Sequence, residues 1–197
     1  MEEHAASPPI RLVIFGRQGA GKGTQCDRIV ERYGVAHLST GDMFRAARAA
    51  DTELGRKVGP IMDAGGLVSD ELTIAIVEER LGSEDIRKSG FVLDGFPRTE
   101  AQAEALLEML GEGGLHAVIH LDVPIEEVTA RMKARARGDD TEEGIAKRLS
   151  LYDAETVPTI NWFADRGMVV TVDGLGTEDE VSQRLMASID GALATAG

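Results

Sequence analysis

One stretch near the start of the chain limits what the rest can fold into. Ile10-Arg11-Leu12-Val13-Ile14-Phe15 is a short apolar run of strand length. It leads straight into Gly16-Arg17-Gln18-Gly19-Ala20-Gly21-Lys22-Gly23-Thr24 and a helix-permitting segment. The glycines fit G-x-x-x-x-G-K, the loop that cradles phosphates between a buried strand and a helix. Gly16, Gly19, Gly21 and Gly23 let the backbone bring its N–H groups close to phosphate oxygens. The helix beginning near Lys22 adds its positive end, and Lys22 itself can place an ammonium on the β- and γ-phosphates. Gly23 stands where Ser or Thr is common, with Thr24 one place later. A glycine-rich turn that binds nothing would not need strand, spacing, lysine and helix to agree. No G-x-G-x-x-G can be laid on these glycines, so a dinucleotide loop does not fit.

The chain continues as short apolar strands alternating with helices. Strands are expected at 10–15, 35–38, 91–94, 116–122 and 168–172. Helices are expected at 22–33, 39–50, 52–63, 70–81 (capped by Ser69-Asp70), 99–111, 124–134, 142–164 with a bend near Pro158, and after the capping box Thr177-Glu178-Asp179-Glu180. This alternation specifies an α/β fold, a parallel five-stranded sheet of the P-loop NTPase type with helices on both faces. Ligands bind such sheets beyond the C-terminal strand ends. Three segments converge there: 16–24, Asp94–Arg98 and the exit of the fourth strand.

The chain has 197 residues, enough for one domain. Its net charge of -13 argues against non-specific nucleic-acid binding and against anionic membrane surfaces. No apolar run approaches the ~20 residues of a membrane span, and Met1–Pro9 lacks the apolar core of a signal peptide. A cytoplasmic monomer is expected, with 1–9 a disordered tail. Cys26, the only cysteine, reads as buried packing and excludes a multi-cysteine zinc site. His37 reads as a structural or surface histidine.

Four further stretches carry a resemblance: Gly19-Ala20-Gly21-Lys22-Gly23-Thr24-Gln25, Ser39-Thr40-Gly41-Asp42-Met43-Phe44-Arg45, Leu93-Asp94-Gly95-Phe96-Pro97-Arg98-Thr99 and Arg137-Gly138-Asp139-Asp140. In this order, over nearly the whole chain, they resemble the adenylate kinases, a family that carries G-K-G-T in the phosphate loop. The resemblance implies the magnesium-dependent reaction ATP + AMP ⇌ 2 ADP. It divides the domain 10–197 into a core (10–39, 70–134, 142–197), an AMP-binding insertion 40–69 and a short lid 135–141. The lid's brevity departs from long-lid relatives, and its lack of cysteine excludes a zinc lid.

The same resemblance assigns the site. Lys22, Arg98, Arg135, Arg137 and Arg148 would neutralise the phosphates in transfer. ATP would lie on Gly19–Thr24, Arg131, Arg135 and Gly176, the last through its carbonyl. AMP would lie on Thr40, Arg45, Leu67, Val68, Gly95, Arg98, Gln102, Arg137 and Arg148, with Gln102 reading the adenine edge. Asp94 would hold magnesium through water, with Thr24 as a second candidate. Arg131 and Arg135 share a helix face, where like charges repel unless an anion or the nearby Asp139 and Asp140 offset them. Thr40 with Gln102 favours AMP over UMP or CMP. A UMP/CMP kinase and a nucleotide-binding module that transfers nothing are the alternatives. Arg17-Gln18, where relatives often carry proline, is expected to be tolerated.

Overall fold

A computed structural model describes residues 9–64, 68–135 and 141–196. Five strands, β1 (Ile10–Phe15), β2 (Ala36–Ser39), β3 (Gly90–Asp94), β4 (Ala117–Asp122) and β5 (Val169–Asp173), form one sheet in the order β2-β3-β1-β4-β5. Every pairing is parallel, and Ile14, Asp94 and Ser39 lie level across three strands. The expected fold class is therefore the observed one.

Both faces of the sheet are covered, which is why its strands read as continuous apolar runs rather than alternating ones. On one face Leu12, Ile14, Val92, Ile119 and Val172 pack under α1 (Lys22–Tyr33), α7 (Ile125–Arg135) and α10 (Glu178–Ala196) through Cys26, Ile29, Val128, Met132, Leu185 and Ile189. On the other, Val13, Phe15, Leu38, Leu93 and Val118 meet α4 (Asp70–Leu81), α5 (Glu84–Ser89), α6 (Glu100–Leu110) and α9 (Val157–Ala164) through Val77, Ile86, Leu106 and Phe163. Cys26 is fully buried, as the sequence suggested.

Two helices, α2 (Thr40–Ala49) and α3 (Glu53–Asp63), stand between β2 and α4 and are clamped by a two-bond pair from Arg48 to Asp63 at 2.6 and 3.0 Å. Ser39 caps α2 by accepting from the Asp42 N–H. The last helix opens on the expected capping box: the Thr177 N–H donates to Glu180 Oε2 at 2.8 Å, and the Glu180 N–H to Thr177 Oγ1 at 3.3 Å.

Three elements differ from expectation. Helix α5 is not among the expected helices; its six residues carry one buried apolar anchor, Ile86. Ser69 occupies the cap position of α4 without a side-chain cap bond, and the Asp70 carboxylate accepts instead from the Thr99 hydroxyl and Gln102 Nε2. The long helix expected over 142–164 is two helices, α8 (Glu142–Leu151) and α9, joined by a π-helical turn at Tyr152–Thr156, where the Val157 N–H reaches back to the Tyr152 carbonyl. Pro158 sits in the first turn of α9, directly after the π turn. Of the expected lid, 136–140 lie outside the described residues, as do 1–8 of the expected tail.

Candidate functional site

The phosphate loop spans 16–21, between β1 and α1. Gly19 holds φ +88, and a Cβ there would come 2.7 Å from the Val128 carbonyl oxygen. Only glycine lets the loop pass this close to α7 in that conformation. The Lys22 ammonium donates to the Gly16 carbonyl at 2.8 Å and stands 3.8 Å from Asp94 Oδ1. Arg131, on α7, donates to Glu127 at 2.7 Å and reaches the Ala20 carbonyl at 3.4 Å. One loop thus carries a cation on each flank.

Asp94 ends β3 beside this loop. Burial alone would raise its pKa, but Lys22, His37 and Arg98 more than offset this and hold it below the usual carboxylate range. His37, one strand over on β2, places Nε2 3.7 Å from Asp94 Oδ2, and that carboxylate raises the imidazole pKa. His37 is thus the half-buried structural histidine of the two readings, not a surface one.

After Asp94 the chain turns sharply. Gly95 takes φ +84, and a Cβ there would lie 2.8 Å from Thr40 Oγ1 and 3.2 Å from Arg98 Nη2. The Thr40 hydroxyl and the Arg98 Nε–H both donate to the Gly95 carbonyl, at 3.0 and 2.8 Å. Arg98 is also fixed through its backbone. Its N–H donates to Gln102 Oε1 at 2.8 Å, and its carbonyl accepts from the Thr159 hydroxyl at 2.9 Å. Burial lowers the Arg98 pKa, against the pull of Asp94. A guanidinium partly shielded from water gains from an arriving anion.

Gln102 is 3% exposed and engaged at both ends of its amide, because Nε2 donates to Asp70 Oδ1 at 2.7 Å. One Nε2 hydrogen is left over. Arg45 lies on α2 with its guanidinium on Asp42. Arg148 is half-buried on α8, and the neighbouring Lys147 donates to the Ala64 carbonyl at the end of α3, so the two arms touch. Gly176 follows β5 with φ +114, close to where the Glu178 carbonyl accepts from Gln25 Nε2 at 3.2 Å. Thr24 is half-buried on α1, Gly23 is exposed beside it, and half-buried Val68 precedes α4. Arg135 closes α7. Leu67 and Arg137 lie outside the described residues.

The structure therefore gathers the loop, Lys22, Arg131, Asp94, Thr40, Gly95 and Arg98 at the C-terminal edge of the sheet. A family model described as adenylate kinase matches residues 14–168. The chain belongs to the adenylate kinase family. Its family relatives include the adenylate kinase of Maricaulis maris, 49% identical over 187 residues that cover 92% of this chain and 99% of the relative. Those of Kocuria rhizophila and Stenotrophomonas maltophilia K279a are 47% and 45% identical over 186 residues, covering 91% of this chain and 98% and 99% of theirs.

Some residues that shape this adenylate kinase site carried no signal in the sequence. Arg17, expected to be merely tolerated, donates to Asp153 Oδ1 at 2.8 Å and lies 5.2 Å from the centre of the Tyr152 ring, tying the phosphate loop to the π turn. Asp70 read as a helix cap, yet it holds Gln102. Thr159, unremarked within the expected helix 142–164, holds the Arg98 carbonyl. Among the described residues no helix is long and apolar enough to cross a membrane.

Proposed function

We propose that the chain transfers the terminal phosphoryl group of ATP to AMP, reversibly, giving two ADP. The observation that carries this reading is Arg98 beside Asp94 and Lys22. A half-buried guanidinium, held on the Gly95 carbonyl by a residue whose backbone is anchored by Gln102 and Thr159, faces the phosphate loop across a single acidic strand end. A protein that only bound a triphosphate would have no use for this second cationic station.

ATP lies with its phosphates on the amides of 19–24 and on Lys22, and with its base toward Arg131 and Gly176. AMP enters between Thr40, Gly95 and Gln102, its phosphate met by Arg45, Arg98, Arg137 and Arg148. Gln102 uses its spare N–H toward the adenine. The AMP phosphate oxygen is already an anionic nucleophile at neutral pH, so no general base is required. The residues supply alignment and charge neutralisation, which account for most of the catalysis in phosphoryl transfer. Asp94 and Thr24 form an oxygen-only donor set that suits magnesium, with water between ion and carboxylate. When bound, the ion neutralises charge shared by the β- and γ-phosphates.

In this reading 40–69 is the AMP-binding arm and 135–141 the lid that excludes water, and the enzyme works as a cytoplasmic monomer without nucleic acid or membrane. A coupled ADP assay with AMP, UMP, CMP and GMP as acceptors tests it. AMP should be the best acceptor. Faster turnover with UMP or CMP would make this a pyrimidine kinase, and ATP binding without ADP formation would make it a binding module.

A further inference from the structure

Beneath the phosphate loop lies a cluster of which phosphoryl transfer uses only Asp94. Cys26, His37 and Asp94 each offer one ligand atom, and these atoms all lie within 4.8 Å of one another. The grouping follows from the fold. His37 pairs with Val92 and Ser39 with Asp94, so His37 and Asp94 stand on the same sheet face from adjacent strands. Helix α1 crosses that face and lowers Cys26 onto it. His37 Nε2 is sealed from solvent and has no hydrogen-bond partner among the described residues. Its charged neighbour, Asp94 Oδ2 at 3.7 Å, stands beyond hydrogen-bond distance, which leaves the nitrogen room for a ligand bond.

Thiolate, imidazole and carboxylate together suit zinc-class ions, whereas magnesium takes oxygen alone. Tetrahedral bonds of about 2.0–2.3 Å set ligand atoms roughly 3.6 Å apart, so closing the cluster takes about 1 Å of side-chain movement. We propose that Cys26, His37 and Asp94 form a binding site for a thiophilic divalent cation, and that filling it stops phosphoryl transfer. The ion displaces the Cys26 thiol proton to solvent, forms bonds to Sγ, an imidazole nitrogen and a carboxylate oxygen, and takes Asp94 out of its partnership with Lys22. A thiolate ligand favours soft and borderline ions over hard cations such as magnesium. The ion enters from the nucleotide cleft, where the Asp94 and His37 side chains are 17% and 22% exposed.

Cobalt(II), added to the purified full-length chain without nucleotide, tests the site directly. One cobalt per chain should bind, with the near-ultraviolet charge-transfer absorption of a thiolate–cobalt bond, and zinc should remove that absorption. Cys26→Ser and Cys26→Ala should each lose it, and His37→Gln should weaken cobalt binding by about 10-fold or more. No absorption in the unmodified chain, or the same absorption in Cys26→Ser, would overturn the proposal. If neither cysteine variant folds, His37→Gln replaces them, and cobalt binding there as tight as in the unmodified chain overturns it. In the coupled assay with saturating magnesium, zinc should inhibit the unmodified enzyme, and Cys26→Ser should need at least about 10-fold more zinc for the same inhibition. Equal inhibition of both would sink the functional half. The cobalt measurement requires no turnover, so it stands or falls apart from the assigned reaction.

Discussion

Replacing Gln102 by leucine separates the two jobs given to that side chain. Leucine is close to glutamine in size, so little cavity is created. What disappears is polar. The Arg98 N–H loses its 2.8 Å acceptor, and the Asp70 carboxylate loses its 2.7 Å donor. A neutral bond of this kind is worth about 1 kcal/mol net and one to a charged group about 1.5–3 kcal/mol. Asp70 keeps the Thr99 hydroxyl at 2.8 Å, which places its loss at the low end. The sum is about 2.5 kcal/mol, and extra apolar burial returns a fraction of it, leaving about 2 kcal/mol. For a chain of this size that lowers Tm by about 4–8 °C. Urea unfolding should show a lower midpoint with an unchanged m-value, and the KM for AMP should rise because Arg98 has lost one of its two backbone anchors. Gln102→Glu keeps an acceptor for the Arg98 N–H but sets a second carboxylate against Asp70, so it should be destabilised while holding Arg98 better than leucine does. A stability loss in Gln102→Leu below about 1 kcal/mol would refute the claim that this amide locks the loop.

Lys22→Met should keep the fold and lower kcat by about 10²–10³ or more, the usual cost of removing one transition-state donor; near-normal turnover would end its assigned role. Gly95→Ala forces a side chain into φ +84 and to within 2.8 Å of Thr40 Oγ1, so the KM for AMP should rise about tenfold or more while that for ATP changes little, as initial-rate kinetics with each substrate varied would report. Burial, with help from the Asp190 carboxylate at 2.7 Å, pushes the Tyr33 phenol up to about 12. Its folded pKa exceeds the unfolded value of about 10. That contribution to stability is therefore fully present below pH 10 and lost as pH rises toward 12. The difference in unfolding free energy between the native chain and Tyr33→Phe, followed from pH 9 to 12, should shrink over that interval; a constant difference would reject the link.

The central strands β1, β3 and β4 were readable because they are buried on both faces along most of their length. The Ile10–Phe15 run needed only its length and the glycines after it. Lys22, Asp94 and Arg98 were readable because they sit at fixed distances from strand ends, which topology must bring together. The support beneath them was not. Thr159 meets Arg98 across 61 residues of sequence, and Arg17 meets Asp153 across 136. Contacts at such separations leave no local pattern. Helix α5 was missed because six residues hold too few turns to show a period, and one buried side chain, Ile86, fixes it. The π turn was hidden for another reason: both flanking segments have ordinary helical sequences, and the surplus residue shows only in backbone bonding.

That surplus residue sets the angular phase between two working surfaces. Downstream of Tyr152–Thr156, Phe163 is locked against the sheet; upstream, α8 carries Arg148. Each residue of an α-helix advances the direction of its side chains by about 100°. Deleting any one residue of the wide turn would restore ordinary helical pitch and swing every upstream side chain by that angle, with Phe163 still seated. The chain thus tolerates change of residue type here far better than change of length, and families of such sequences should align across this segment without gaps.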